Sequence, residues 1–476
     1  MESETCPICR ETGCDFQTHC NHFYHLECLK TANQSANLPI CPYCRREISF
    51  SSVVEEILKD PSEMLGKIKE MNLPMKQVHE IVNYAAKNGN LELLKAAMVN
   101  GKNMKGLLEL ALILSSEFGH LELVKYVISR GVNVQAKKDS ALCLSIRNGH
   151  FKIVKLLVEN GADVGTNNKT PIHHAIVNGN VEMFKYLFKN IPSIYYKNEY
   201  EYELRLSIEY GNFEIAKHLI KCGANIHADN EIALRTCAIY GHLNILKLLI
   251  SRGVNIHYND CVALRLSAYY GHLDVVKHLV ELGCDIHAKN DDAIISSAEC
   301  GHFQVVEYLM EKGANIHAND YLAFQRSAQN GNLRAMKYLV AHGANIHVNS
   351  EMALYLSAKI GSLENVKYLV ELGADVNAGN GKTVFVSAAA GFYDILEYLF
   401  EHGADIRARN DYALYWSVMY GHWHIFKFLL KNGADINSYS EDGYHVCDVN
   451  DKIIKYLQEK NIKYSEVPDP FLVRLY

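Results

Sequence analysis

The first fifty residues hold seven of the fourteen cysteines, with histidines interleaved among them. The residue types that could ligate a metal occur as Cys6 and Cys9, Cys20 and His22, His25 and Cys28, and Cys41 and Cys44. In a reducing compartment such a cluster indicates metal rather than disulfides. Eight ligands suffice for two closed tetrahedral zinc sites, and closed sites are structural. The pattern therefore predicts two structural Zn²⁺ ions and no open zinc position for hydrolysis.

Zinc must also supply most of the folding free energy of this segment. A chain of about fifty residues with few large apolar side chains buries too little surface to fold alone. A zinc fold of another type is the alternative interpretation of the same eight ligands. Cys14 and His19 are spare residues in this pattern, although His19 could replace a neighbouring ligand.

The motifs CPIC, CNHFYHLEC and CPYCR resemble the RING-H2 finger of ubiquitin ligases, and the resemblance covers residues 1–50. It implies a cross-braced fold in which the ligands alternate between the two ions. The first zinc would be held by Cys6, Cys9, His25 and Cys28, and the second by Cys20, His22, Cys41 and Cys44.

The same resemblance implies a surface that docks a ubiquitin-charged conjugating enzyme (E2). Ile8 and Pro42 match the apolar contact positions of the family, and Arg45 matches the cation that bridges the E2 enzyme and ubiquitin. An Arg suits that role because its planar fork donates to several carbonyl oxygens at once. Many such fingers carry a Trp where this chain has Ala32, which implies weaker or more selective docking.

The elements that carry this finger are indicated by a second pattern, a glycine that recurs at nearly fixed spacing. Every interval is 30 residues except the one from Gly179 to Gly211, which is 32, so the pattern predicts an array of about twelve units. The glycines are Gly89, Gly119, Gly149, Gly179, Gly211, Gly241, Gly271, Gly301, Gly331, Gly361, Gly391 and Gly421.

The residue pattern of each unit predicts two helices. In the unit that begins at Gly271, the apolar residues Leu273, Val276, Leu279 and Val280 line one face of a helix, and Gly283 supplies a left-handed cap. Asn290-Asp291 predicts an Asx turn, and a further helix runs from about Asp292 to Glu299. The small residues Ser297 and Ala298 are expected at close helix contacts.

This plan resembles the ankyrin repeat, and the segment KTPIHHA at residues 169–175 is close to that family's signature. The resemblance implies a mostly α fold, an ankyrin-repeat helical solenoid with a small N-terminal zinc-bound RING domain. Units of 30 rather than 33 residues imply shorter projecting hairpins. They also resemble the ankyrin arrays of giant viruses that infect amoebae, which suggests a viral source.

Two positions of the first helix change from unit to unit while the scaffold positions repeat. The first variable position follows a first-helix residue that is most often Leu and includes Arg205, Arg235, Arg265, Gln325, Tyr355, Phe385 and Tyr415, and the second variable position includes Tyr269. Binding surfaces favour Tyr and Arg anchors among varied neighbours, and this gives seven candidates for contact with a substrate protein. The alternative is that variable positions are merely exposed and unconstrained. The seven candidates are Arg205, Arg235, Arg265, Tyr269, Tyr355, Phe385 and Tyr415.

A column of histidines recurs every 30 residues at His227, His257, His287, His317 and His347. Successive units lie about 10 Å apart, so two of these histidines cannot share an ion whose nitrogen ligands are about 2 Å away. We expect structural loop histidines here. The histidines that follow the turn glycines are expected to make turn hydrogen bonds.

The predicted domains are a RING-type finger (1–50), a helical linker or N-terminal cap (51–76), the ankyrin repeats (77–440), and a degenerate repeat with a C-terminal cap (441–476). A net charge of −6 without a basic block argues against nucleic acid, and the lack of a long apolar run argues against a membrane. The expected location is the cytoplasm or nucleus, of a host cell if the source is viral.

The function predicted from this organisation is a RING-type E3 ubiquitin ligase, with an E2 enzyme, ubiquitin and an unknown substrate protein as partners. No covalent intermediate forms on the ligase in this prediction. The alternative is a non-catalytic adaptor with a purely structural finger, which Ala32 favours. Self-contained hydrolytic or nucleotide chemistry is not expected, because the sequence has no nucleophile elbow, phosphate loop or HExxH motif.

Overall fold

The computed structural model describes residues 75–99, 104–191 and 200–438, residue 459, and the backbone of residues 16–17 and 23–24. The chain forms two compact units, Met1–Ala224 and Asn225–Tyr476. In the first unit, strand β1 (Phe16–Gln17) pairs antiparallel with strand β2 (Phe23–Tyr24). The predicted degenerate repeat at 441–476 lies outside the described residues except for residue 459.

The rest of the described chain is helical. The first unit contains α1 (Met75–Asn88), α2 (Leu91–Val99), α3 (Met104–Glu117), α4 (Leu121–Ser129), α5 (Ala136–Arg147), α6 (Phe151–Glu159), α7 (Thr166–Val177), α8 (Val181–Asn190), α9 (Glu201–Glu209) and α10 (Phe213–Lys221).

The second unit contains α11 (Ala228–Tyr240), α12 (Leu243–Ser251), α13 (Tyr258–Tyr269), α14 (Leu273–Glu281), α15 (Ala288–Glu299), α16 (Phe303–Glu311), α17 (Ala318–Gln329), α18 (Leu333–Ala341), α19 (Val348–Lys359), α20 (Leu363–Glu371), α21 (Ala378–Ala390), α22 (Tyr393–Glu401), α23 (Ala408–Met419) and α24 (Trp423–Lys431).

Consecutive helices form hairpins, and each predicted glycine lies between the two helices of one hairpin. Within each unit, the first helix of a hairpin packs against the first helices of its neighbours, and the second helices pack in the same way. This arrangement buries each hairpin only against the hairpins beside it, as expected for a repeat protein.

The second helices are amphipathic, as the sequence predicts. In α14 the buried residues are Val275, Val276 and Leu279, while Leu273 and Val280 are half-buried at the edge of that face. The helix ends before Gly283, whose φ of 90° confirms the predicted left-handed cap.

The first helices hold the closest contacts. Ser297 and Ala298 of α15 are fully buried, which confirms the expectation of small residues there. The Ser297 hydroxyl donates to the Ile294 carbonyl oxygen at 3.0 Å, so burial leaves its polar atom paired. The same position is serine, and fully buried, in most other hairpins of both units.

The range of α15 opens with a left-handed turn, where the sequence predicted an Asx turn. Lys289, Asn290 and Asp291 have φ values of 55°, 56° and 59°, so the right-handed part of α15 begins at Asp292 as predicted. Equivalent triplets lie at the start of α5, α11, α13, α17, α19, α21 and α23 in the described residues. A left-handed residue other than Gly costs about 1–2 kcal/mol, so something must hold these triplets in place.

The third residue of the triplet provides that restraint. Asp291 is 4% exposed, and its Oδ1 accepts from the backbone N–H of Asn315 at 2.7 Å. The same bond, again 24 residues along the chain, joins Asp411 to the N–H of Asp435 at 3.1 Å. The side chain of the third residue thus points at the loop that follows the hairpin's second helix.

Candidate protein-binding surface

The finger candidates lie outside the described residues. This applies to both sets of zinc ligands (Cys6, Cys9, His25 and Cys28; Cys20, His22, Cys41 and Cys44) and to the E2-contact candidates Ile8, Pro42 and Arg45. The described part of that region is the β1–β2 pair, which places Gln17 opposite Phe23.

Three residues at the first variable position are engaged with the left-handed turn. Arg235 donates to the carbonyl oxygen of Asp229 at 2.9 Å, and Gln325 donates to that of Asp320 at 2.6 Å. Arg265 donates to the carbonyl oxygens of residues 259 and 260 and pairs with Asp292 of the next hairpin at 3.0 Å. Their N–H donors therefore serve the scaffold, because the turn leaves carbonyl oxygens that need donors.

The aromatic candidates at this position differ in exposure. Tyr415 is buried, and Phe385 is half-buried with its ring 4.8 Å from that of Tyr412 in the following hairpin. Tyr355 is half-buried, whereas Arg205 is exposed and lies over the ring of Tyr202 at 5.4 Å. Arg205 is the most accessible of the candidates at this first position.

The second variable position is more open. Tyr269 is 45% exposed and contacts the ring of Tyr270 edge-on at 5.0 Å. The Cys300 thiol, partial burial and Tyr270 all raise the pKa of Tyr269. Its hydroxyl is therefore neutral at pH 7 and able to donate a hydrogen bond.

A column of exposed tyrosines precedes the turn glycines, and the sequence reasoning missed it. Tyr210, Tyr240, Tyr270 and Tyr420 are between 44% and 59% exposed at the ends of their first helices. Their signal was present as the repeated Tyr-Gly pair in EYGN, IYGH, YYGH and MYGH. Tyr240, Tyr269 and Tyr270 belong to two adjacent hairpins of the second unit, and we call these three residues the tyrosine surface.

The residues that follow the turn glycines hold this surface in place. His272 Nε2 donates to the Ile239 carbonyl oxygen of the preceding hairpin at 2.7 Å, and its ring stacks on that of Tyr270 at 6.5 Å. His422 repeats this arrangement with Ala389, at 3.0 Å, and with Tyr420. The predicted turn histidines thus bond across hairpins, and they restrict the exposed tyrosine rings.

The histidine column mostly serves the left-handed turns. Nδ1 of His227 donates to Glu231 at 2.8 Å, and Nδ1 of His287 donates to Asp291 at 3.0 Å. His257 differs, because its partner four residues later is Cys261. Most of the column therefore has the structural role that the sequence predicts.

Restricted, half-exposed tyrosines with mixed neighbours suit a protein partner. Tyr and Arg are enriched among the residues that dominate binding energy, and a held ring loses little entropy on binding.

Within the described residues, no helix is long and apolar enough to cross a membrane.

Comparison with known proteins agrees with the helix hairpins. A family model for ankyrin repeats (3 copies) matches residues 82–168, 112–198, 204–290, 264–350, 324–410 and 354–440, which together span more than half of the chain. The crystal structure of the human ASB11 ankyrin repeat domain is similar with 24% identity and a TM-score of 0.37, over 41% of this chain and 96% of that one. A search of curated proteins gives no match. On the family match and the repeated helix hairpins, the chain belongs to the ankyrin-repeat family.

Proposed function

We propose that the chain is a RING-type E3 ubiquitin ligase whose ankyrin repeats bind the substrate protein and whose residues 1–50 bind the charged E2 enzyme. The ankyrin repeats themselves indicate a role in protein–protein interaction. The observation that carries the ligase half is the complete order of eight Cys and His ligands. The tyrosine surface supports the substrate-binding half.

The donor set of the finger fits zinc. It consists of six cysteines and two histidines, the soft and borderline ligands that closed tetrahedral zinc sites use. Zinc would supply folding free energy to this segment and take no part in bond making. The ligand groups would be Cys6, Cys9, His25 and Cys28 for one ion, and Cys20, His22, Cys41 and Cys44 for the other.

The residues of the chain would act by positioning. The amine of a substrate lysine attacks the thioester carbonyl on the E2 enzyme, and the E2 cysteine leaves as a thiol. Arg45 would hold the thioester in an attack-ready pose, with Ile8 and Pro42 in contact with the E2 enzyme. Proximity and orientation can supply about 7–11 kcal/mol of a barrier, so no covalent intermediate on the ligase is required.

Ubiquitin-chain assembly tests the ligase half. Full-length zinc-loaded protein is mixed with E1, ubiquitin and a panel of E2 enzymes, and we expect chains with at least one of them. Arg45→Ala and Ile8→Ala should each suppress the chains, whereas Arg46→Ala, a matched charge loss one residue away, should not. Equal chain formation by wild type and Cys41→Ala would refute the proposal.

Site-specific photocrosslinking tests the substrate-binding half. A photoreactive residue is placed at Tyr270 in one protein and at Asp274, an exposed residue of the second helix α14, in another. A protein that becomes ubiquitinated should crosslink from position 270 and not from 274. Crosslinks of equal yield from both positions would argue against the tyrosine surface.

The adaptor alternative rests on Ala32, which stands where many RING fingers have Trp. If it is right, full-length protein binds its partner but binds no member of the E2 panel and forms no chains. Ala32→Trp distinguishes a weak finger from an inactive one, because only a weak finger gains chain formation. A viral source and a cytoplasmic or nuclear location remain predictions under either function.

A further inference from the structure

Two cysteines of the second unit occupy positions where the repeat otherwise uses other residue types. Cys261 is the third residue of a left-handed turn, a position that is acidic in five other hairpins: Asp139, Glu231, Asp291, Glu351 and Asp411. Cys284 stands at a loop position that is alanine in seven other hairpins: Ala162, Ala224, Ala314, Ala344, Ala374, Ala404 and Ala434.

The fold brings these two departures together. The third residue of the turn points at the loop 24 residues further on, as the bond from Asn315 to Asp291 shows. For Cys261 that loop is residues 284–285, so its thiol faces Cys284. The Cys284 thiol donates to the Ile256 carbonyl oxygen at 3.6 Å, and Cys261 and Cys284 are 3% and 4% exposed.

His257 completes the group. Its Nδ1 lies 3.8 Å from Cys261 Sγ, and the ligand atoms of His257, Cys261 and Cys284 all lie within 4.8 Å of one another. Within the described residues this is the one group of three such side chains that could hold a metal ion. His257 is exposed, which gives an ion and a solvent molecule access to two buried thiols.

The 3.8 Å between His257 Nδ1 and Cys261 Sγ is close to the spacing of ligands around a tetrahedral zinc ion, and the other two separations are at most 4.8 Å. Zn–S bonds of about 2.3 Å and Zn–N bonds of about 2.0–2.1 Å place a nitrogen and a sulfur ligand about 3.6 Å apart and two sulfur ligands about 3.8 Å apart. Small side-chain shifts therefore suffice to bind an ion. A His–thiol hydrogen bond alone explains neither the second cysteine nor its replacement of alanine.

We propose that His257, Cys261 and Cys284 bind one Zn²⁺ ion between adjacent repeats, with a solvent molecule as the fourth ligand. This site is independent of the finger, and two thiolates with one imidazole form a known three-ligand zinc set. Burial and the adjacent Cys261 thiol raise the pKa of Cys284, so that thiol is neutral without the ion and the repeat carries no buried charge there. Ion binding would tie the left-handed turn to the next loop, as the carboxylate does in other hairpins.

The zinc content of the purified full-length chain tests this site by elemental analysis. Wild type is compared with Cys284→Ala and with the double variant C261E/C284A, which restores the residues that other hairpins use. We expect each variant to keep its circular dichroism spectrum and lose one zinc per chain. Cys300→Ala, a half-buried cysteine of the same unit, should keep the wild-type zinc content.

The test measures the difference in zinc content between wild type and each variant. Residues 1–50 are the same in all of them, so zinc bound there does not affect the difference. If the finger holds no zinc, the difference between wild type and C261E/C284A remains. If this site is wrong, wild type and both variants have equal zinc content. A Cys261–Cys284 disulfide together with equal zinc content after reduction would likewise overturn the proposal.

Thiol alkylation of the wild-type chain gives a second test that requires no variant. Zinc should slow the modification of Cys261 and Cys284 by iodoacetamide, as measured by mass spectrometry, and a chelator should reverse the effect. Cys222 is exposed in the first unit and should react at the same rate with and without zinc. Equal rates for Cys261 and Cys284 with and without zinc would overturn the proposal even if the variants failed to fold.

Discussion

Gly391 is expected to tolerate alanine much less well than Gly403, although the two glycines share nearly the same backbone conformation. Their φ values are 84° and 87°, so an alanine at either position costs about 1–2 kcal/mol for the left-handed conformation. The surroundings differ. A Cβ at Gly391 would lie 2.6 Å from Cε1 of His422, whereas a Cβ at Gly403 would meet nothing within 4 Å.

The His422 ring has to move when Gly391 becomes alanine. Moving it breaks the 3.0 Å hydrogen bond to the Ala389 carbonyl oxygen, and such a bond contributes about 0.5–1.5 kcal/mol net. We therefore expect Gly391→Ala to lower the free energy of unfolding by about 1.5–3.5 kcal/mol, and Gly403→Ala by about 1–2 kcal/mol. In a His422→Ala background the extra penalty at Gly391 should disappear.

Tryptophan fluorescence during urea unfolding is a suitable assay. The chain has two tryptophans, Trp416 in α23 and Trp423 in α24, so the signal reports the hairpin that contains His422. A local probe matters because repeat arrays can unfold in parts. The lost hydrogen bond contributes at least about 0.5 kcal/mol. The reasoning is refuted if Gly391→Ala and Gly403→Ala lower the free energy of unfolding by amounts that agree within that value. An extra penalty at Gly391, relative to Gly403, that persists in the His422→Ala background would refute it too.

Two further predictions concern buried carboxylates. Asp291→Ala should cost about 2–3 kcal/mol, because the N–H of Asn315 loses its acceptor and alanine disfavours the left-handed turn. Asp291→Asn, which keeps an acceptor oxygen, should cost under about 1 kcal/mol, and equal urea midpoints for the two variants would contradict this. Burial alone would raise the pKa of Glu203, but hydrogen bonds from His173 and Lys169 outweigh it and hold that pKa below its usual 4.5. Glu203 therefore stabilises the fold above pH 4.5, and this contribution is lost as the pH falls through the lowered pKa. Glu203→Gln should lower the free energy of unfolding by about 1.5–3 kcal/mol at pH 7. It should also weaken the fall of that free energy at acid pH. The same acid dependence in wild type and variant would contradict the pairing of Glu203 with His173 and Lys169.

The helix hairpins were predictable because their signals are local and repeat in every unit. A glycine at each tight turn and the apolar face of each second helix need only the spacing of residues along the chain. The start at Asp292 and the buried pair Ser297 and Ala298 were found for the same reason. The RING finger and its zinc ions stay predictions, because their residues lie outside those that the structure describes.

The left-handed turns were not predictable, because their conformation depends on contacts made 24 residues away. Asn290 and Asp291 tolerate positive φ, and they were interpreted as an Asx turn on that local property. At other third positions the turn accepts Glu231, Cys261 and Tyr321, none of which favours positive φ by itself. Each of these three residues contacts the histidine four residues earlier, so contacts made by the side chain outweigh local preference.

The variable columns were found from the sequence, but the partners of their side chains were not. The position that Arg265 occupies varies from hairpin to hairpin, yet the Arg265 side chain donates to the turn carbonyl oxygens and pairs with Asp292. Variation therefore does not by itself identify a contact residue, because a position can vary while each residue satisfies its own hairpin. Exposure separates the two cases and shifts the candidate surface from Arg235, Arg265 and Tyr415 towards Tyr269 and its neighbours.

The left-handed turn also explains how one hairpin can differ chemically while the scaffold is unchanged. Its third side chain reaches the next loop in the hairpins of Asp139, Asp291, Glu351 and Asp411, because the backbone of the turn sets the direction. With Asp291 the result is a hydrogen bond to a backbone N–H, and with Cys261 it is a thiol beside Cys284. A metal site here needs two substitutions in the repeat and no change in its fold. The substitutions that remove the site also restore the usual residues of the repeat, so loss of zinc can be measured apart from loss of structure.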